Sequence, residues 1–576
     1  MKPKTSKGTA RAEAGIGQAR QREVCPSPAK QGAVAAKKFS YGPWGLLGST
    51  VVALLLFINK PIHIDDTLFL RAAQQIQKHP ADFYGFDINW FRSPQRMSDV
   101  FENPPLASYY LAGSALLVGW GETGLHLAFL IPALAAVWGM YNLAKLHCSR
   151  PALAAAVAVW TPAFLVSATT LMCDVMLVAF WVWAVVVFEK ALTTNRLTLF
   201  LSSGVLMALA FLTKFSGLAL LPLLVVYGWW RSRRAGLWLL SLLPPVLTAV
   251  GYEVLTFHLY GHGHFLQASL YAVHEGTKMT LAGRSLVGLV FAGGCFLPLV
   301  FYTPMIYRPK WVIAGLGLVC LVTLALPHAG PFSPVMNANT GVNWWTAFEA
   351  AAFLVSGIYL LVIAGKESCR REPVSVLLSL WVAGVFIFAI AVNWTINARS
   401  FLPAVPALAI LIVRRMDMVR SPRRVGWCAL PLGAAVVLTL LVARADYAVA
   451  VSMQQAAADA CEKYKAPGRR IWFEGHWGFQ YYMEAAGAKA LNLQQPEVKP
   501  ADVIVIPNTG NGVSRPAPSV AQPIDVLTYL PNELCSTMNP GGGACFYAAS
   551  WGPLPYTFGH LKPDHYIVFK PVTPGP

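Results

Sequence analysis

Charge is what this sequence has least of. Only 12% of its 576 residues are Asp, Glu, Lys or Arg, just 27 are acidic, and 56% are apolar. A soluble core of this size needs far more polar surface, so a soluble globular class is excluded. Cysteine is sparse as well: ten residues, scattered without metal-ligand spacing, which removes a cysteine-held metal. No internal repeat is visible, which argues against an inverted-repeat transporter. The first apolar stretch has no small-residue cleavage site and runs into Asn59-Lys60-Pro61, so it reads as a retained span and not a signal peptide.

What is present is a series of apolar runs between Trp44 and Val442. Each is about 16 to 23 residues long, enough or nearly enough to cross about 30 Å of hydrocarbon as a helix. They predict about thirteen helices, near 43–59, 124–146, 151–170, 172–188, 197–213, 216–230, 236–257, 286–306, 311–327, 345–364, 374–392, 400–413 and 425–443. The net charge of +18 would suit nucleic-acid binding, but its placement argues for a membrane instead. Basic residues fill the N-terminal tail (Lys2, Lys4, Lys7, Arg11, Arg20, Arg22, Lys30, Lys37, Lys38) and alternate loops: Lys145 with Arg150, Lys190 with Arg196, Arg231 to Arg234, Arg308 with Lys310, Lys366 to Arg371, and Arg414 to Arg424. That alternation is the positive-inside pattern, with a cytoplasmic N-terminus, and an odd number of crossings puts the C-terminus outside. The expected organisation is a basic tail over 1–42, a transmembrane domain over 43–443 with a first outer loop over 60–123, and a soluble extracytoplasmic domain over 444–576. Pro104 to Gly119 is apolar but short and reads as a helix lying in the outer leaflet.

From about Arg444 the composition balances, and the order IWF, GFQYYMEAAG, ADVIVIP reads strand, helix, strand: a small α/β layer. Asn508 to Pro523 reads as a loop, and Cys535 with Cys545 could close a disulfide in this compartment. Aromatic-rich IWFEGHWGFQYYM, with Glu474, His476 and Trp477, suits either a sugar-stacking surface or, more often, core packing. The sequon Asn393-Trp394-Thr395 abuts a helix end, too close to the bilayer to matter.

The functional argument rests on polar residues at the outer level. Asp65 and Asp66 form a carboxylate pair just past the first span, where burial and mutual repulsion raise one pKa toward base function, or where the pair could hold a divalent cation. Asp174 interrupts SATTLMCDVMLVAFWVW, and a carboxylate at membrane depth costs on the order of 3 kcal/mol unless it faces a wet cavity with a partner. Lys214 ends the fifth span and Arg399 begins the twelfth, both on the outer side, against the inside rule. An outer-surface enzyme can draw on a polyprenyl-phosphate sugar. Lys214 and Arg399 would neutralise the departing phosphate while a carboxylate takes the acceptor's proton, a direct displacement that inverts the anomeric centre. The rival reading is a transporter or flippase of a lipid-linked or amphipathic solute, with Asp174 and Lys214 as a coupling pair; a second is a noncatalytic scaffold for envelope polymers.

IDDTLFLRAA after span one, ENPPLASYYL before span two, CDVML opening span four, LTKFSG closing span five and ARSFLPAVPAL at span twelve together resemble the GT-C glycosyltransferases. Within that fold the chain is similar to the branch of bacterial aminoarabinose transferases and protein O-mannosyltransferases, over about residues 43 to 443. The resemblance implies that Asp65 is the catalytic carboxylate with Asp66 beside it, that Asp174 is the second acid, and that Lys214 contacts the donor phosphate. The family's Glu-Lys-Pro-Pro falls on Glu102-Asn103-Pro104-Pro105, where Asn103 replaces the lysine and weakens phosphate binding by this segment. Four histidines, His258, His262, His264 and His274, follow span seven. In the aminoarabinose branch a metal can be shared near this place, which would pair His274 with Glu102 around a divalent ion, against the blander reading of titrating headgroup-facing histidines. The partners implied are a polyprenyl-phosphate sugar donor, an acceptor lipid, polysaccharide or protein, and the membrane, with no nucleic acid. The retained basic tail fits a bacterial cytoplasmic membrane.

Overall fold

A computed structural model describes residues 42–276, 278–338, 341–419, 428–510, 513–559 and 561–572. The basic tail over 1–41, the end of the basic run at Arg420 to Arg424 and the first residues of the last expected span lie outside the described residues. The chain is mostly helical, and each of the thirteen expected stretches coincides with helical residues. Among the described residues, seven helices are long and apolar enough to cross a membrane by length and composition, or nine if each of two sharply bent pairs is one span. Three shorter apolar helices, Pro43–Leu55, Leu106–Val118 and Leu197–Thr213, supplement them. Leu106–Val118 follows Pro104-Pro105, in the stretch expected to form a separate short helix.

The two bends have local causes. The stretch expected as one span over 151–170 breaks into Pro151–Val159 and Pro162–Ala168 at an angle of 67°. Pro162 cannot supply the helical N–H and holds Thr161 extended (φ −121°, ψ 143°). The Thr161 hydroxyl then caps the new helix, accepting from the Phe164 N–H at 3.3 Å. Leu281–Cys295 and Leu297–Ile306 meet at 72°, where Pro298 stands in the first turn after the break.

The C-terminal residues form a five-stranded sheet in the order Lys489–Ala490, Ile471–Phe473, Val503–Pro507, Asp564–Pro571, Ala521–Tyr529. The first three strands are parallel and the last two antiparallel to their neighbours. Helix Trp477–Ala485 lies between the two strands expected from the sequence, Ile471–Phe473 and Val503–Pro507, and a short unexpected strand, Lys489–Ala490, follows it. Ala521 to Pro523, expected as loop, instead begins the edge strand, because register with Asp564–Pro571 extends to Ala521. Cys535 and Cys545 are both buried free thiols, so the expected bridge is not formed. They stand in different two-stranded ribbons, Cys535 opposite Phe558 and Cys545 opposite Met538.

One 36-residue helix, Ala429–Tyr464, runs through the expected boundary at 444 and joins the apolar bundle to the sheet without a linker. At the sheet end, Glu349 of helix Trp344–Ser368 accepts hydrogen bonds from the Thr557 hydroxyl at 2.6 Å and the Phe558 N–H at 2.7 Å. The Tyr482 hydroxyl donates to Glu122 and accepts from the Ile62 N–H at 2.7 Å. The sheet domain is thus bolted to the helices by buried polar contacts, not merely tethered.

Candidate active site

Where the 60–123 segment meets the sheet domain, a cavity of about 930 Å³ opens; Asp65, Glu102, Asn103, Lys214 and Arg399 all line it. Each is delivered by a local interruption of helix. Ile64 has φ 47°, a conformation that a β-branched side chain adopts only when its surroundings impose it, and the strain sits immediately before Asp65. Lys214 is extended (φ −157°, ψ 136°) at the end of helix Leu197–Thr213. The tight turn after it requires Gly217, because a Cβ there would lie 2.4 Å from the Ala210 backbone. Arg399 stands in a short helix, Ala398–Phe401, capped by Asn397, whose Oδ1 accepts from the Ser400 N–H at 2.8 Å. A π-helical turn, Phe388–Val392, precedes it and contributes Phe388 and Val392 to the cavity wall.

The charges form one chain. Arg399 donates from Nη2 to Asp65 Oδ2 at 2.9 Å, and its Nη1 lies 3.5 Å from Asp174 Oδ2. Lys214 Nζ donates to Asp174 Oδ1 at 2.7 Å. Asp174, at the start of helix Asp174–Thr194, is 1% exposed and lies behind the two cations. It orders them without facing the cavity. Glu102 is pushed up to about 8, first by burial and then by the charges of Asp65 and Glu275, so it is mostly protonated at neutral pH. With Glu102 neutral, Asp65 and Asp174 balance Lys214 and Arg399, and Glu275 pairs with Lys278 at 2.6 Å on the same cavity wall.

Asp66 is not brought to the cavity. It is fully buried, and its carboxylate accepts from the backbone N–H groups of His63 at 3.1 Å and Leu171 at 2.8 Å. It ties the strained turn to the loop that precedes Asp174. Burial raises its pKa to about 7, opposed by Lys60 and those two amides. Asn103 reaches the cavity wall while its carbonyl accepts from the Tyr84 hydroxyl at 2.6 Å.

Glu102 and His274 also line a second cavity of about 530 Å³, with Asp99, His262 and His264. Among the described residues no group of three or more His, Cys, Asp or Glu is arranged to hold a metal ion. His264 is engaged between the Tyr252 hydroxyl and the Phe101 carbonyl, both at 2.6 Å, and burial lowers its pKa to about 4. The two residues expected to share a metal therefore share a cavity, without a third ligand assembled beside them. His258 lines neither cavity.

The aromatic segment of the sheet domain is largely core, as one of the two expected readings had it. Phe473 and Phe479 pack in the core, whereas Trp477, with φ 65°, lines the main cavity beside Trp551 at a centroid distance of 5.8 Å. Its carbonyl accepts from the Thr67 hydroxyl at 2.9 Å, joining it to the helix that starts at Asp66.

Sequence reasoning missed a buried group next to this site: Lys60, His63, Asp446 and Tyr547. Lys60 Nζ lies 2.5 Å from Asp446 Oδ2, which also accepts from the Tyr547 hydroxyl at 2.9 Å. A usable signal existed at Lys60, a cation at the level of Asp65, where the charge alternation leaves none expected.

Residues 102–257 match the family model described as dolichyl-phosphate-mannose-protein mannosyltransferase. A search of curated proteins gives no match. Among solved structures, the oligosaccharyltransferase of Archaeoglobus fulgidus, tethered to an acceptor peptide, aligns at 13% identity over 79% of this chain with a TM-score of 0.45. The chain spans 64% of that protein's length. ArnT from Cupriavidus metallidurans bound to undecaprenyl phosphate aligns at 15% identity over 81% of this chain and 93% of its own, with a TM-score of 0.40. The mycobacterial arabinofuranosyltransferase AftD aligns at 14% identity over 75% of this chain and 30% of its own, with a TM-score of 0.36. The resemblance read from the sequence and the family match over 102–257 agree that this chain is similar to the GT-C membrane glycosyltransferases.

Proposed function

We propose that this protein is an integral-membrane glycosyltransferase. It moves a sugar from a polyprenyl-phosphate donor to an acceptor at the outer membrane face, with Asp65 as base. The observation that carries this reading is that Asp65, Lys214 and Arg399 line one cavity, with Asp174 linking the two cations from behind. Lys214 and Arg399 bind the donor phosphate by charge-assisted hydrogen bonds. The acceptor hydroxyl or amine attacks the anomeric carbon opposite the phosphate as Asp65 takes its proton. The bond from that carbon to the phosphate oxygen breaks, and the charge that develops on the leaving phosphate falls on the two cations. The product is inverted at the anomeric centre.

The ion pair between Arg399 and Asp65 fits this sequence of events. A phosphate entering the cavity competes for the guanidinium, and the carboxylate gains freedom to accept a proton. Charge balance permits the same ligand: with Glu102 protonated, Asp65 and Asp174 offset Lys214 and Arg399, and Glu275 pairs with Lys278, so an anionic phosphate meets no net repulsion. The basic loops on the opposite end of the bundle support an outward-facing cavity in a bacterial cytoplasmic membrane.

The test is transfer from radiolabelled polyprenyl-phosphate sugars to candidate lipid, polysaccharide and protein acceptors by the purified protein. Asp65→Asn removes all but about 10⁻² to 10⁻⁴ of transfer while leaving expression and donor binding largely intact. Equal turnover in that variant removes Asp65 from the mechanism.

A further inference from the structure

Arg399 is held from the sheet domain as well as from the bundle. The Ala398 N–H donates to the Phe546 carbonyl at 2.9 Å, and the Ala549 N–H donates to the Ile396 carbonyl at 2.7 Å. These two bonds bracket the turn from Ile396 to Arg399 against residues 546–549. Between them, the Tyr547 ring lies under the guanidinium, 5.4 Å from its carbon to the ring centroid. Tyr547 is itself fixed from below. Its hydroxyl donates to Asp446, which also takes Lys60 and the Thr537 hydroxyl at 2.7 Å, and the Thr537 carbonyl accepts from the Phe546 N–H at 2.7 Å. The His63 ring meets the Tyr547 ring edge-on at 5.4 Å. The result is a closed circuit of buried contacts joining the helix Ala429–Tyr464, the turn before Asp65, the sheet domain and Arg399.

We propose that Tyr547 is a positioning residue for the donor phosphate: its ring, anchored through Asp446 and Lys60, holds the Arg399 guanidinium at the cavity, so the sheet domain is a working part of the phosphate site. This rests on the donor reading above. The ring supports one face of the guanidinium and leaves its edge, which engages Asp65 and Asp174, at the cavity where a phosphate competes for the same donors. The hydroxyl matters as the anchor of the ring and the ring as the support of the charge.

The experiment measures equilibrium binding of undecaprenyl phosphate to the purified full-length protein, with melting temperature recorded for every variant. Tyr547→Leu removes ring and anchor and weakens binding about tenfold, the size of a desolvated cation–π contact. Tyr547→Phe keeps the ring and stays within about threefold of wild type. In an Arg399→Gln background the Leu substitution adds no further loss, because the two residues act through one contact. Ala549→Pro gives an independent variant: it removes the Ala549 N–H and its bond to the Ile396 carbonyl, and the ring carbon in place of that hydrogen pushes the carbonyl, and with it the turn to Arg399, away. It weakens binding about threefold. Unchanged affinity in Tyr547→Leu, or in Ala549→Pro should the first not fold, overturns the positioning role while leaving the donor reading intact. Absence of binding by the wild type overturns the donor reading itself, and this inference with it.

Discussion

The two ends of the helical bundle both bury an acid among cations, but among the described residues only one of these clusters lines either of the two cavities above. At the end reached by His147, Glu367 is fully buried and takes Arg414 at 3.1 Å, Arg415 at 3.4 Å and the Ser375 hydroxyl at 2.8 Å, while Arg150 pairs with Asp417 at 2.8 Å. No residue of that cluster lines either cavity. At the other end Asp174 is buried and paired in the same manner, yet its partners Lys214 and Arg399 each present an atom to an open volume of about 930 Å³. Charge pairing in an apolar bundle is therefore a structural device where the charges face only one another. It becomes chemistry where the paired cation keeps a face for a ligand.

Four changes break or sharpen that contrast. Asp65→Asn at the cavity end lowers turnover the most, by about 10²- to 10⁴-fold, the usual contribution of a general base, measured in the radiolabel transfer assay. Lys214→Met follows, costing about 10²- to 10³-fold in kcat/KM for the donor, as expected when one cation facing a developing phosphate charge is removed. A smaller effect is expected at Glu102, which is neutral below about 8 and ionises above it. Ionisation adds a third negative charge beside Asp65 and Glu275 and repels the phosphate, so the donor KM of the wild type rises a few-fold from pH 7 to pH 9. Glu102→Gln flattens that rise, and a pH profile of KM identical to wild type rules it out as the cause. Glu367→Gln at the closed end leaves turnover per folded molecule unchanged, while a thermal or denaturant melt shows a loss of about 3–5 kcal/mol from uncompensated arginines. A drop in turnover at constant folded fraction would erase the distinction between the two ends.

Much of this architecture was legible in advance because the membrane restricts the choices. The apolar runs predicted where helices lie, and the alternation of basic loops predicted which loops share an end. The bonds from Arg150 to Asp417, from Arg414 to the His147 carbonyl and from Trp230 to the Arg371 carbonyl agree with that grouping. Asp174, Lys214 and Arg399 stood out because each is a charge where hydrophobicity or the sign rule disfavours one, and Asp65 because it pairs with Asp66 at a helix exit. The break at Thr161-Pro162 carried a visible proline signal, but read as span it was absorbed into a continuous helix. Asp446 was hidden by the boundary drawn at 444: a carboxylate just inside a soluble domain is unremarkable, and only a helix continuing to Tyr464 turns it into a buried charge.

By itself, then, the order of residues determined the class of the molecule, the helical stretches and the level at which polar side chains collect, since hydrophobic length and charge sign are local properties. Tertiary structure alone decided that Asp65 faces the cavity while its neighbour Asp66 is spent on backbone amides. It also decided that a tyrosine from the sheet domain lies beneath Arg399, and that two cysteines of one domain stay apart. Those outcomes depend on partners more than a hundred residues away, such as Leu171 for Asp66 and Asp446 for Lys60. No pattern within a single segment encodes which distant segment will close on it.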